Sequence, residues 1–194
     1  MTSNRLEAFT DGVLAIVITV MVLELRVPVN GSVAAAREAV PVLLAYVLSF
    51  INIGVYWSNH HHLFQATERI DGRILWCNLF LLFWLSLMPF VIRWLDESSF
   101  AVLPTAAYGV LLLMASLAWR LTERAIILRN GASSSVSKAL GRDRKAVLSI
   151  IAYGLAVPLT FADTRVAIGL YVGITAFWLV PDRRIERVME GKGL

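Results

Sequence analysis

Six apolar segments recur along this chain, near 5–26, 39–58, 73–94, 100–122, 144–162 and 164–181, and no other feature limits its fold as tightly. A helix needs about 20 mostly apolar residues to cross a hydrocarbon core about 30 Å thick. The segments match that length, and the charge content agrees: 16% of the residues are charged, against about 25% in soluble domains. The reading is an all-α, polytopic membrane protein, a single domain over 1–194 with six transmembrane helices. The single Cys77 excludes an intrachain disulfide and lies in an apolar segment, where packing is its expected role. The N-terminus does not read as a signal peptide, because no small-residue cleavage site precedes Glu24 and Arg26.

Basic residues give the orientation. With six spans, one side holds both termini and the connections 2–3 and 4–5. Fourteen of the Lys and Arg residues fall there: Arg5, Arg69, Arg73, Arg120, Arg124, Arg129, Lys138, Arg142, Arg144, Lys145, Arg183, Arg184, Arg187 and Lys192. Only four, Arg26, Arg37, Arg93 and Arg165, fall on the other. The positive-inside rule then places both termini in the cytoplasm. The longer connections, near 59–72 and 123–143, are expected on that side, the second made flexible by Gly131-Ala-Ser-Ser-Ser. Asp163-Thr164 reads as a tight turn with Asp163 as a helix cap, and Pro181-Asp182 as a helix stop.

The first segment, Arg5 to Leu25, is chemically the least ordinary. Its uncharged run from Gly12 to Leu23 covers only about 18 Å as a helix, so Asp11, with Arg5 and Glu7, is drawn into or close to the membrane. An intramembrane carboxylate faces protein or water by preference and is a functional suspect. At about 100° per residue, Gly12, Ile16, Thr19, Val20 and Leu23 share one arc, which Arg5 and Phe9 extend downwards. Asp11 points nearly opposite Ile16. A second helix descending to the cytoplasmic side brings Trp57 and His60 or His61 to the depth of Asp11, and Asn78 and Arg73 start the third helix nearby. Hydrogen-bond donors there make the carboxylate far less costly.

Absent chemistry excludes other classes. Neither Tyr108-Gly109 nor Tyr153-Gly154 belongs to a Thr-Val-Gly-Tyr-Gly filter, and no span carries the regular arginines of a voltage sensor. There is no Walker loop, Gly-rich nucleotide loop or HExxH element. The basic balance of +4 reads as topology, with no nucleic-acid partner. His60-His61-His62 project about 100° apart on a helix, which argues for hydrogen bonding over a shared metal.

Arg5, Phe9, Thr10 and Asp11 resemble the Arg-x-x-x-Phe-Ser-Asp signature that opens the first helix of the transmembrane protein 175 family, the endosomal and lysosomal potassium channels and their bacterial homologues. Thr10 stands where the family usually has Ser, keeping the hydroxyl. The run Gly-Val-Leu-Ala-Ile-Val-Ile-Thr-Val-Met-Val-Leu continues the similarity over about 20 residues, and Trp57-x-x-His60 and the six-helix count extend it. The resemblance implies a homotetrameric, potassium-preferring cation channel of the bacterial inner membrane, neither enzyme nor cofactor protein, with four first helices around a central axis. By position, Ile16, Val20 and Leu23 match the apolar residues that narrow the family's pore, in place of a carbonyl filter. Thr19 lies beside them, and Ile16 is the ring expected to be tightest. The resemblance also implies a polar network tying the first helix to its neighbours, to which Arg5, Phe9, Thr10, Asp11, Trp57, His60, His61 and Asn78 are assigned.

The residues alone leave rivals open. A lipid-facing or helix–helix stripe has the same composition as a pore-lining one. A proton-coupled secondary transporter would use Asp11 and the His60–His62 cluster as titrating groups, but lacks paired interrupted helices; Pro158 has no matching partner segment. A membrane scaffold, or an enzyme with an intramembrane site, would need no pore, and no nucleophile, base and orienter fall together at one depth.

Overall fold

The computed structural model describes residues 3–26, 28, 31–67, 69–131, 134 and 144–179. Among these, every regular element is helical: α1 Ser3–Leu23, α2 Val33–Gln65, α3 Gly72–Ser86, α4 Met88–Glu97, α5 Val102–Asn130, α6 Arg144–Leu159 and α7 Thr164–Leu179.

Local chemistry sets the boundaries. The Ser32 hydroxyl accepts from Ala35 N at 3.2 Å and opens α2; Asp71 accepts from Arg73 N and Ile74 N, both at 3.1 Å, and opens α3. Asp163 accepts from Arg165 N at 2.8 Å, the cap expected at the last turn. Pro89 cannot donate to the carbonyl one turn back, and the ladder breaks at Leu87, whose N–H bonds Trp84 O at 3.2 Å. The expected third span is therefore two stacked helices, together running Gly72–Glu97.

Two expected boundaries are corrected. The second helix does not stop at 58. Ser58 to Gln65 contains no Gly or Pro, and buried Leu63 and Phe64 hold the added turns against the core, so the three histidines lie on α2 and not in a connection. Likewise α5 continues past 122 to Asn130, because Glu123 and Ile126 are buried and Gly131, at φ 86°, supplies the stop. The fifth segment ends slightly early, at Leu159, just after Pro158. The Gly131-Ala-Ser-Ser-Ser loop, save Gly131 and Ser134, lies outside the described residues, as do the Pro181-Asp182 stop, Lys138, Arg142, Arg183, Arg184, Arg187 and Lys192.

Four helical stretches are long and apolar enough to cross a membrane: Ser3–Leu23, Val33–Gln65, Gly72–Glu97 and Val102–Asn130. The last two helices are apolar but of 16 residues each, about 24 Å of rise. The core centres on α5, which packs chiefly against α3 and α6, while α1 packs on α2, α3 and α4. Polar side chains also pair between α2 and α5, α2 and α7, and α6 and α7, as helices in lipid favour. Ser49 and Tyr108 lie 2.9 Å apart, Asn52 Nδ2 donates to Thr175 Oγ1 at 2.9 Å, and Trp178 Nε1 donates to Ser149 Oγ at 2.7 Å.

Gly109 on α5 lies against Tyr171 on α7. A Cβ there would strike the phenol of Tyr171, and Val157 Cγ2 would lie at 3.0 Å. Tyr171 is fully buried and edge-on to Tyr108, so it cannot swing clear. Gly109→Ala is expected to destabilise the protein by about 1–3 kcal/mol, the usual cost of overpacking, read as a lowered unfolding midpoint in detergent. An unchanged midpoint would show that Tyr171 has another place to go.

Candidate functional site

The first helix divides lengthwise into two halves. Leu6, Thr10, Leu14, Val17 and Met21 are buried against the other helices. The opposite half is bare within the subunit: Leu23 is 80% exposed, Ile16 63%, Phe9 50% and Val20 38%. Arg5, Gly12 and Thr19 lie on the same exposed surface. The arc drawn on the helical wheel is thus the surface that this chain leaves uncovered. Both halves are apolar, so the division is set by which side chains find neighbours.

Thr19 donates its hydroxyl proton to Ile16 O at 2.9 Å, the back-bond common for Thr in helices. Its oxygen lone pairs are left for whatever lies beside the exposed face. No side chain crowds Gly12, where a Cβ would meet nothing within 4 Å.

On the buried half, three helices meet at one cluster. Asn78 on α3 donates from Nδ2 to Thr10 Oγ1 on α1 at 3.0 Å, and its Oδ1 lies 2.9 Å from His60 Nε2 on α2. Thr10 Oγ1 and His60 Nε2 are 3.5 Å apart. Asn78, Thr10 and His60 are exposed by only 0%, 1% and 2%. The His60 tautomer this requires carries its proton on Nε2, since Asn78 Oδ1 can only accept. His60 also stacks on Phe64, ring centroids 4.3 Å apart.

Of the donors expected near Asp11, Trp57 is the one that bonds it. Trp57 Nε1 donates to Asp11 Oδ1 at 3.0 Å, at the edge of the exposed half of α1; neither His60 nor His61 bonds Asp11. One turn further down, Glu7 Oε2 lies 3.4 Å from His61 Nδ1. Gln65 Nε2 donates to His61 Nε2 at 2.8 Å, which leaves the Nδ1 proton directed at Glu7. Trp57 and His61 stack at 6.4 Å with an interplanar angle of 15°. Thr10, Asp11, Trp57, His60, His61 and Asn78 therefore all join α1 to α2 or α3.

Arg5 and Phe9 do not join them. Arg5 makes no hydrogen bond or ion pair among the described residues, and both side chains lie on the uncovered stripe. The reason is register: positions 5, 9, 12 and 16 share a face that turns away from α2 and α3. The three histidines do not converge either. His60 faces Asn78 and His61 faces Glu7, while the buried His62 Nδ1 finds no hydrogen-bond partner among the described residues. Among the described residues no group of three or more His, Cys, Asp or Glu could hold a metal ion.

Two clusters escaped the sequence reading. At the far end of α1, Arg93 Nη1 meets Glu24 at 3.4 Å and Arg26 Nε meets Asp96 at 2.9 Å, tying that end to α4. Opposite charges at the same expected membrane face were the available signal. On α5, Glu123 is buried, accepting from Trp119 Nε1 at 3.1 Å and Arg120 Nη1 at 2.8 Å. The i, i+3 and i, i+4 spacing was legible, but not its burial.

Comparison with known proteins bears on this arrangement. Residues 5–89 match the family described as the endosomal/lysosomal potassium channel TMEM175. A potassium channel of Chryseobacterium sp. (strain P1-3) is 48% identical over 190 residues, covering 98% of this chain and 99% of that protein. The crystal structure of a lysosomal potassium-selective channel TMEM175 homolog from Chamaesiphon minutus superimposes with a TM-score of 0.78 at 28% identity, over 92% of this chain and 96% of that one. The Danio rerio endosomal/lysosomal proton channel TMEM175 is 33% identical over 110 residues, half of this chain and 21% of that protein.

Proposed function

The chain belongs to the TMEM175 family, and from that membership we propose that it is a potassium-preferring channel of the bacterial inner membrane, six helices per subunit with both termini cytoplasmic, whose pore is lined by α1. The observation that carries this reading is the bare stripe of Ile16, Thr19, Val20 and Leu23 on a helix otherwise well anchored. An apolar half-helix facing nothing in its own subunit fits a central axis shared with other copies. Four copies place four α1 helices around that axis, as a homotetramer.

Ile16 to Val20 is one turn and Val20 to Leu23 nearly another, so the three side chains form stacked apolar rings spread over about 10 Å. Such rings exclude water or make a cation shed part of its shell. Potassium holds its shell less tightly than sodium and loses less in doing so. Thr19, its proton committed to Ile16 O, presents oxygen lone pairs between the rings to a partly stripped cation. Gly12, one turn below Ile16, leaves the pore wide on the cytoplasmic side. Asp11, held by Trp57, and Thr10, held by Asn78, set the rotation of α1 and do not themselves bind the ion.

The test is potassium flux from liposomes holding the purified protein, with sodium as the comparison ion. Potassium efflux that does not saturate and exceeds sodium efflux is expected. Saturable flux driven by a proton gradient would instead favour a carrier using Asp11 and the His60–His62 cluster. No flux from folded protein would leave a scaffold.

A further inference from the structure

The walls of α2, α5 and α7 enclose an apolar cavity of about 510 Å³ away from the α1 stripe. Pro41, Leu44 and Leu48 form the α2 wall, Ile168 and Val172 the α7 wall, and Tyr108 part of the floor. It is partly open, and its lining residues Leu44 and Val47 on α2 and Val172 on α7 are exposed apolar side chains. Its size is that of a ligand pocket, but its lining offers almost nothing polar to orient a soluble ligand.

The charges at its outer rim are more specific. In the proposed six-span topology, on which this inference rests, four arginines lie on this side of the membrane. Arg26 and Arg93 are neutralised by Asp96, Glu24 and Glu97. Arg37 and Arg165 are exposed and form no side-chain hydrogen bond or ion pair among the described residues. Arg37 precedes Pro41 by four residues and Leu44 by seven; Arg165 precedes Ile168 by three and Val172 by seven. Each therefore shares the face that lines its wall, one turn nearer the headgroups. Both lie at the N-terminal ends of their helices, towards which side chains lean. Glu38 is turned about 100° away from Arg37, and the Asp163 carboxylate accepts from the Arg165 backbone N–H.

We propose that this groove is a binding site for an anionic glycerophospholipid, an acyl chain filling the cavity and the phosphate held between Arg37 and Arg165. An apolar chain alone would need no cations, and a soluble anion would not need the cavity; the two features together select a molecule with both.

The test is native mass spectrometry of the full protein extracted from bilayers of equal phosphatidylglycerol and phosphatidylcholine with identical chains. Wild type is expected to retain phosphatidylglycerol preferentially, by about fivefold for each arginine, as the attraction of basic side chains to anionic lipid predicts. Arg37→Gln with Arg165→Gln should erase the preference while leaving potassium flux intact. Ala45→Phe, which fills the cavity from α2, should remove both lipids. Equal retention of the two lipids by wild type, or a phosphatidylglycerol adduct untouched by the arginine pair, would overturn the proposal. The exposed arginine variants test it even if Ala45→Phe does not fold.

Discussion

Liposomes holding Ile16→Asn are expected to leak sodium nearly as fast as potassium, with potassium flux itself raised. The side chain becomes smaller and polar, and in the proposed tetramer the apolar ring becomes a ring of amides that can replace water around either ion. The step that penalises sodium, shedding part of its shell between branched aliphatic side chains, disappears. A loss of about tenfold in the potassium-over-sodium ratio corresponds to roughly 1.4 kcal/mol, a small part of the hydration free energy at stake. Ile16→Val, which stays apolar and branched, should keep selectivity and raise conductance slightly by widening the ring. Because Ile16 is 63% exposed within the subunit, the amide breaks no packing there, and an effect on flux cannot be assigned to misfolding. Rate and selectivity unchanged in Ile16→Asn would remove Ile16 from the pore.

The contrast between the two halves of α1 shows what a sequence can carry. The wheel separated Ile16, Thr19, Val20 and Leu23 from Thr10 and Asp11, since helical geometry alone requires it. It could not say which half would be covered, because both are apolar; that depends on Leu6, Leu14, Val17 and Met21 meeting α2, α3 and α4. Five of the expected partners were placed by depth, and Trp57, His60, His61 and Asn78 do reach α1. Depth does not fix pairing, however. Trp57, nearly a turn before His60 on the same side of α2, is the one that reaches Asp11, while His60 turns to Asn78. Arg73 stayed outside the cluster: it is exposed, five residues from Asn78 and on another side of α3. The lengths of α2 and α5 were underestimated for one reason. His, Asn, Glu and Arg read as the end of a membrane segment, whereas here Glu123 and His60 find buried partners and let the helix run on.

Replacing Asn78 should be the most damaging single change to the body of the subunit. Asn78→Leu leaves Thr10 Oγ1 and His60 Nε2 buried with each other at 3.5 Å as their remaining recourse. Each orphaned group costs about 1–3 kcal/mol, so a loss of roughly 2–5 kcal/mol is expected, seen as a large drop in the unfolding midpoint in detergent. The decisive comparison is the triple variant Thr10→Val, His60→Leu, Asn78→Leu. If the cost lies in unmet hydrogen bonds, removing every partner should recover much of the stability lost by removing one, because apolar replacement of a whole set is close to neutral. If the cost were only lost shape, the triple variant would be worse than the single. Asp11→Asn supplies the control at the surface: Trp57 Nε1 still finds an oxygen acceptor there, so stability should barely change. An Asn78→Leu protein with a wild-type midpoint would mean that the cluster does not hold α1. The pore stripe would then have to be positioned by the ion pairs at its far end, Glu24 with Arg93 and Arg26 with Asp96.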